Sequence, residues 1–261
     1  MKILLTGYKG FIGSNMLKEL TEHEVTTFEW GETLPTIEGH DWVIHMGANS
    51  STTERDVELI MHQNVDFSVW LLNQCIKHKI NLQYSSSASV YGMRKENFTE
   101  DANVDPRSPY AWTKYLFERH ISNLNPEKTN GIVIQGFRYF NVYGPNEDHK
   151  KDQASPYHKF TKQYKETGKI KLFENSDKYL RDFIPVEQVC KTHVDFLNVK
   201  ESGVWNVGTG TPKSFLDVAL SIAPVEAIEY IPMPDILRDS YQEYTCADMT
   251  KTRNSLQHKG E

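Results

Sequence analysis

Cysteine is scarce in this chain: Cys75, Cys190 and Cys246 are three in 261 residues, odd in number and far apart. Such spacing supplies neither a disulfide framework nor a metal-ligand set, so the fold must rest on its apolar core and no metal is expected. Positive charge is also in deficit. At a formal net charge of −6 the surface offers no field for nucleic acid or an anionic membrane, and any phosphate must be recognised locally. Long apolar runs are missing too. The opening run Ile3-Leu4-Leu5 breaks at Thr6-Gly7, too early for a signal peptide or a membrane span, which makes the cytoplasm the expected location. What is present is an ordinary globular composition, 38% hydrophobic with 13 Tyr, 12 Phe and 5 Trp, in a length that suits one compact, two-lobed unit.

Apolar periodicity alternates along the first half. Short runs at residues 2–5, 25–28, 42–46, 82–85 and 131–138 read as strands, while residues 14–20, 64–78 and 110–124 carry helical stripes. This βα alternation predicts an α/β, Rossmann-type, doubly wound parallel sheet covered on both faces. Beyond Gly144 the pattern loosens. A helix from Pro156 to about Lys165, a strand at 169–173, a helix at 186–197, a strand at 204–207, a helix at 215–222 and a strand at 228–231 are expected. We assign residues 1–144 to a dinucleotide-binding domain, with returning segments at about 182–210, and residues 145–181 and 211–261 to a smaller, interleaved α/β substrate lobe. The polar tail from Asn254 is expected to fray.

Gly7, Gly10 and Gly13 recur at three-residue intervals between the first strand and the first helix, around Phe11 and Ile12. Glycines there permit a tight turn and a close backbone approach to a pyrophosphate, which the helix N-terminus then faces. The cofactor expected is NAD or NADP. Glu29 stands at the end of the second strand, where an acid bonds ribose hydroxyls, and residues 29–41 hold four acids and no Lys or Arg, which favours NAD. Lys9 partly offsets that preference.

Tyr110 and Lys114 are four residues apart, so phenol and ammonium share a helical face. A phenol is a poor base near neutral pH unless a neighbouring cation stabilises its phenolate, and Lys114 is placed to do so. Ser87, in the serine-rich run that follows the strand at 82–85, offers a hydroxyl to a sugar oxygen beside Tyr110. A plain serine-rich loop and a chance surface pair are the alternatives for these residues.

With Gly47-Ala48-Asn49-Ser50-Ser51-Thr52-Thr53-Glu54, residues 136–145 followed by His149-Lys150, Lys171 to Ser176, Arg181-Asp182-Phe183, and residues 231–234 with Tyr241-Gln242, the chain resembles the extended short-chain dehydrogenases/reductases. The likeness is to their NAD-dependent epimerase/dehydratase branch, and within it most nearly to the ADP-glycero-manno-heptose 6-epimerases. That resemblance implies inversion of a heptose C6 by transient oxidation and re-reduction, with Tyr110 and Lys150 as acid/base groups on opposite faces, Ser87 as hydroxyl partner and Lys114 as tuner of the phenol. It further implies cofactor contacts from Gly47, Ala48, Ser50, Asn64 and Val142 besides the glycine turn, Glu29, Tyr110 and Lys114. Substrate contacts would come from Ser51, Ser87, Asn141, Lys159, Phe173, Glu174, Ser176, Arg181 and Tyr241. A homo-oligomer built through helices beside the sheet is part of the same expectation.

Three departures qualify the likeness. Only a loop fits between Phe28 and Trp42, where the family has a further strand and helix, so part of the adenine pocket is expected to be missing. Asp152 stands where the epimerases have serine, and the chain ends soon after Asp248-Met249-Thr250, before the expected closing helix. Other readings are another nucleotide-sugar epimerase or keto-reductase on the same scaffold, and a non-catalytic NAD(P)-binding regulator. Ser87, Tyr110 and Lys114 together argue against the regulator, because a pure binder has no need of a proton-transfer set.

Overall fold

The computed structural model describes residues 1–47, 49–51, 54–235 and 241–257, with the Asp152 side chain left out. Ala48, expected to touch the cofactor, lies outside the described residues. The alternation produces strands β1 (Lys2–Thr6), β2 (Glu24–Phe28), β3 (Trp42–His45), β4 (Asn81–Ser87) and β5 (Ile134–Tyr139), and helices α1 (Phe11–Glu19), α2 (Val57–Met61), α3 (Phe67–His78) and α4 (Pro109–Ser122). The second half adds β6 (Asn141–Tyr143), α5 (Pro156–Thr167), β7 (Ile170–Phe173), β8 (Leu180–Arg181), β9 (Phe183–Pro185), α6 (Val186–Phe196), β10 (Gly203–Val207), β11 (Lys213–Ser214), α7 (Phe215–Leu220), β12 (Ile228–Ile231) and α8 (Thr250–Gln257).

Six strands form one sheet in the order β10-β5-β4-β3-β1-β2, every pairing parallel. Such strands are buried on both faces, which is why Ile3, Leu4 and Leu5 and then Trp42, Val43 and Ile44 run without alternation. One face packs Leu4, Val43, Leu82 and Tyr84 on α3 and Phe117 of α4. The other packs Ile3, Leu5 and Ile44 on Met16 of α1 and Cys190 of α6. The sheet ends at β2 because residues 29–41 form a loop, as their composition predicted. Shorter pairs, β12 with β7, β11 with β8 and β6 with β9, build the region beyond the C-terminal edge, with α5 and α7 around Phe160, Ile170 and Leu172.

Two boundaries differ from expectation. Residues 62–66 make a π-type turn between α2 and α3, a distortion that a purely periodic stripe does not reveal. The tail does not fray from Asn254. Residues 250–257 are helical and dock on β10: Thr252 donates to the Asn206 carbonyl at 2.6 Å, Lys251 to that of Val204 at 2.8 Å, and the Trp205 indole to Ser255 at 3.0 Å. Polar side chains hold this closing helix, so apolar periodicity misses it.

Two histidines are fully enclosed, and burial pushes both pKa values down to about 3, with Lys114 adding to the effect on His45. An unfolded imidazole titrates near 6.5, so between those values the unfolded chain binds more protons than the folded one. Stability is therefore complete above about pH 6.5 and is lost as pH falls, by up to ~1.4 kcal/mol per pH unit for each histidine. Urea unfolding at pH 7.5 and 5.5 is expected to show this loss, and His193→Gln should halve its slope. Equal midpoints at the two pH values would show that neither ring is buried neutral.

Candidate active site

The glycine turn is shaped by contacts that leave no room for side chains. Gly7 adopts φ +74°, and a Cβ there would lie 2.5 Å from the Gly47 nitrogen; one on Gly13 would lie 2.0 Å from the Gly7 oxygen. Those clashes explain two of the three glycines without reference to a ligand. Gly10 caps α1 with its backbone alone, and no side chain bonds the first-turn amides around Phe11, Ile12 and Gly13. The helix therefore presents its unsatisfied N–H groups to the groove, as an anion site requires.

Beside this turn lies a cavity of about 210 Å³ lined by Gly7, Glu29, Trp30, Gly47, Asn49 and Phe67 among others. Its floor is held by His45, which bonds Thr6 at 2.6 Å and Ser68 at 3.0 Å. The Glu29 carboxylate accepts backbone N–H bonds from Lys9 (3.1 Å) and Trp30 (3.0 Å), which fixes it at the lip of the cavity. Lys9, which was to offset the acids, is engaged: its ammonium lies 2.7 Å from Glu32. That contact raises the Lys9 pKa and lowers that of Glu32. A 2′-phosphate would meet the Glu29 and Glu32 carboxylates, whereas ribose hydroxyls can donate to Glu29. The missing strand and helix do not abolish the pocket, since the Phe67 ring stacks at 5.7 Å on that of Phe28 and meets that of Trp30 edge-on at 5.4 Å. Trp30 and Phe67 were not read as site residues, although an exposed Trp directly after Glu29 was a legible signal.

A second cavity, about 380 Å³, continues from Gly7, Gly10, Phe11, Ile12 and Gly13 to Ser50, Ser87, Tyr110, Lys114, Asn141, Val142 and Lys150. The three serines at the end of β4 divide the work, because alternate strand residues point to opposite sides. Ser85 receives the Lys114 ammonium on its carbonyl (2.9 Å) and hydroxyl (3.3 Å), and buried Ser86 donates to Glu118. Ser87 lies beside Tyr110 in the cavity wall. Burial raises the Tyr110 pKa and the neighbouring Ser87 hydroxyl opposes that rise. The Lys114 ammonium sits 5.7 Å from the Tyr110 ring centre. It is thus near the phenol without bonding it, and its direct partner is Ser85, which sequence reading did not single out. Burial pulls Lys114 down to about 8 while Glu118 acts in the opposite direction, so the ammonium keeps its charge near neutral pH.

Lys150 is not a solvated loop lysine. Its side chain is 20% exposed, 3.6 Å from Glu147 and 4.7 Å from the Phe11 ring centre. Burial lowers its pKa; Glu147 opposes and Lys159 adds to that shift, which places Lys159 within electrostatic reach. Asn64, expected to touch the cofactor, bonds both backbone groups of Asn49 (2.7 and 2.9 Å) and Thr113 (3.0 Å), and so ties the Gly47 loop to α4. Ser51 belongs to that loop, its N–H donating to Asn49 at 3.1 Å.

The remaining expected substrate residues gather in the second lobe, apart from this cavity. Arg181 lies 5.5 Å from the ring centres of both Phe215 and Tyr241, and Phe173 meets Tyr241 at 6.2 Å. Arg181 does not pair with Asp182, whose carboxylate is filled by Thr209, Gly210 and Ala247; its guanidinium donates to the Leu180 and Gln242 carbonyls. Glu174 is exposed, and the buried Ser176 hydroxyl has no hydrogen-bond partner among the described residues. A further cavity, about 1400 Å³, opens beneath α8 between Arg119, Glu201 and Lys251 and contains none of the proton-transfer residues.

Several solved structures share this fold. The ADP-L-glycero-D-manno-heptose-6-epimerase of Helicobacter pylori is 26% identical, with a TM-score of 0.85 over 98% of this chain and 90% of that one. The UDP-N-acetylglucosamine 4-epimerase of Methanobrevibacter ruminantium (22%, TM-score 0.86, 97% and 91% covered) and the UDP-glucose 4-epimerase of Thermus thermophilus in complex with NAD (24%, 0.81, 97% and 92%) share the fold. A family profile matches residues 3–208, a span that contains the glycine turn, Glu29, Ser87, Tyr110, Lys114 and Lys150. The chain is thereby a member of the NAD dependent epimerase/dehydratase family.

Proposed function

We propose that the protein is a nucleotide-sugar epimerase that inverts C6 of an ADP-linked manno-heptose. The observation that carries this reading is the presence of two different proton carriers, Tyr110 and Lys150, in the wall of one 380 Å³ cavity that begins at the glycine turn. NAD, the family's cofactor, would supply a hydride acceptor that returns the hydride to the same carbon. The uncapped start of α1 would hold its pyrophosphate and Glu29 its adenosine ribose. Tyr110 removes the hydroxyl proton as the sugar carbon becomes a carbonyl, and Ser87 steadies the oxygen. Inversion requires the carbonyl to turn its other face to the dinucleotide before the hydride would return, and Lys150, on the side opposite Tyr110, then hands the proton to the oxygen, so the hydroxyl re-forms with opposite configuration. Arg181, between Phe215 and Tyr241, retains donors for a diphosphate.

The heptose is proposed on the motifs shared with the heptose epimerases, to one of which the chain is 26% identical. Incubation with ADP-linked heptoses and NMR detection of the C6 configuration tests it; no change in any of them would transfer the reading to another nucleotide sugar. Lys150→Met is expected to lower epimerisation at least ~100-fold, the scale of one lost general acid, while oxidation from one face persists in a single-turnover assay. An unchanged epimerisation rate would remove Lys150 from the chemistry. Glu29→Gln is expected to weaken NAD binding and to narrow the gap between NAD and NADP, measured by fluorescence titration. A gap of the same width would make Glu29 a loop anchor only. We place the enzyme in the cytoplasm, in keeping with three unpaired cysteines, and as a homodimer across α3 and α4, where Trp70, Trp112 and Leu116 are exposed.

A further inference from the structure

Beneath the cavity, a row of polar side chains runs through an otherwise apolar layer of the sheet. Gln135, Gln83 and His193 are each 0% exposed. Their hydrogen bonds have only one consistent direction. The Gln135 amide nitrogen faces the backbone carbonyls of Phe196 (3.3 Å), Val199 (2.9 Å) and Glu201 (3.3 Å), which can only accept. Its oxygen is thereby turned to the Gln83 nitrogen at 3.0 Å, which also meets the His193 carbonyl at 3.1 Å. The Gln83 oxygen must then accept, and its partner at 2.8 Å is His193 Nδ1. That nitrogen carries the proton. No carboxylate bonds this ring, burial drives its pKa down to about 3, and a neutral imidazole protonated at Nδ1 is bare at Nε2.

Tyr139 closes the row, its hydroxyl 2.6 Å from His193 Nε2. A phenol has one proton, and the imidazole is a far better acceptor than the Met46 thioether at 3.3 Å. We propose that the Gln135–Gln83–His193 row is a positioning device that locks the Tyr139 hydroxyl proton inward, so that in the cavity shared with Ser87, Tyr110 and Lys114 Tyr139 can only accept a hydrogen bond. It selects a ligand that offers an N–H or O–H donor at that point and disfavours one that offers only lone pairs, because an acceptor facing an acceptor leaves both buried and unpaired. The donor is either the cofactor's carboxamide or a sugar hydroxyl. The inference rests on the ligand cavity assigned above, but its first test does not.

Nitrogen-15 NMR of ring-labelled histidine, with the His193 signal identified by its loss in His193→Gln, should show the Nδ1–H tautomer at neutral pH in the native protein. An Nε2–H or doubly protonated ring would overturn the proposal. The second test is calorimetric titration of wild type and Tyr139→Phe with three probes: NAD, its 3-acetylpyridine analogue, in which a methyl replaces the amide nitrogen, and an ADP-linked heptose added to NAD-loaded protein. A roughly five- to tenfold loss for NAD alone, the scale of one hydrogen bond, assigns the amide as donor. A similar loss for the heptose alone assigns a sugar hydroxyl. Unchanged affinity for NAD and heptose would overturn the proposal. Failure of wild type to bind either heptose or NAD would instead contradict the proposed function, and the tautomer would then decide the polarity of Tyr139 by itself.

Discussion

Tyr110→Phe is expected to reduce turnover by about 10²–10⁴-fold, the range attributed to a positioned acid/base group, with dinucleotide affinity unchanged. The substitution removes only the phenol oxygen, which shares the cavity wall with Ser87. The glycine turn, Glu29 and the Lys114–Ser85 contact do not depend on it. An effect confined to kcat, with the binding constant for NAD intact, therefore separates lost proton transfer from lost cofactor. Ser87→Ala provides the graded companion. It takes away the hydroxyl that lowers the Tyr110 pKa but leaves the phenol in place, so its activity should lie between wild type and Tyr110→Phe, with the pH optimum moved upward. Wild-type turnover by Tyr110→Phe would end the assignment of this residue as the acid/base group.

The parts of this site that were legible in the sequence are those fixed by local spacing. Gly7, Gly10 and Gly13 could be read because a turn and a helix start impose their requirements within seven residues, and Tyr110 and Lys114 because one helical turn brings i and i+4 together. What could not be read depends on contacts across long separations. Lys150 and Arg181 were implied only by the resemblance, because the burial of Lys150 is set by Phe11, far away on α1, and Arg181 turns to Phe215 and Tyr241 while Asp182 turns to Thr209. The bonds of Asn64 to Asn49 and to Thr113, the latter on α4, are equally invisible to spacing. Gln83, Gln135 and His193 had no legible role at all. Polar types inside a strand or helix are read as its solvent face, and only the completed sheet shows that they satisfy one another in the interior.

Glu118→Leu is expected to destabilise the fold by about 3–5 kcal/mol, the usual consequence of removing one member of a buried ion pair. Glu118 and Arg138 are about 5% and 6% exposed at their side chains, and they pair twice, at 3.0 and 2.6 Å. Without Glu118 the guanidinium keeps the Glu100 carbonyl at 3.1 Å and the face of the Tyr91 ring, but neither neutralises its charge, and Ser86 loses its acceptor. The pair itself need not be worth that much. Its members pay a desolvation penalty that their attraction roughly repays, so Glu118→Leu combined with Arg138→Met should recover most of the loss in urea unfolding. Recovery of stability should not restore turnover. Glu118 lies one turn beyond Lys114 on α4, and Ser86 lies between Ser85, which holds Lys114, and Ser87, which lies beside Tyr110. Glu118 therefore pins α4 to β5 through Arg138 and to the end of β4 through Ser86, where the proton-transfer residues gather, a constraint that leucine and methionine can fill in volume but cannot direct. If the double variant regained both stability and full activity, the alignment of Ser87, Tyr110 and Lys114 would have to come from packing alone.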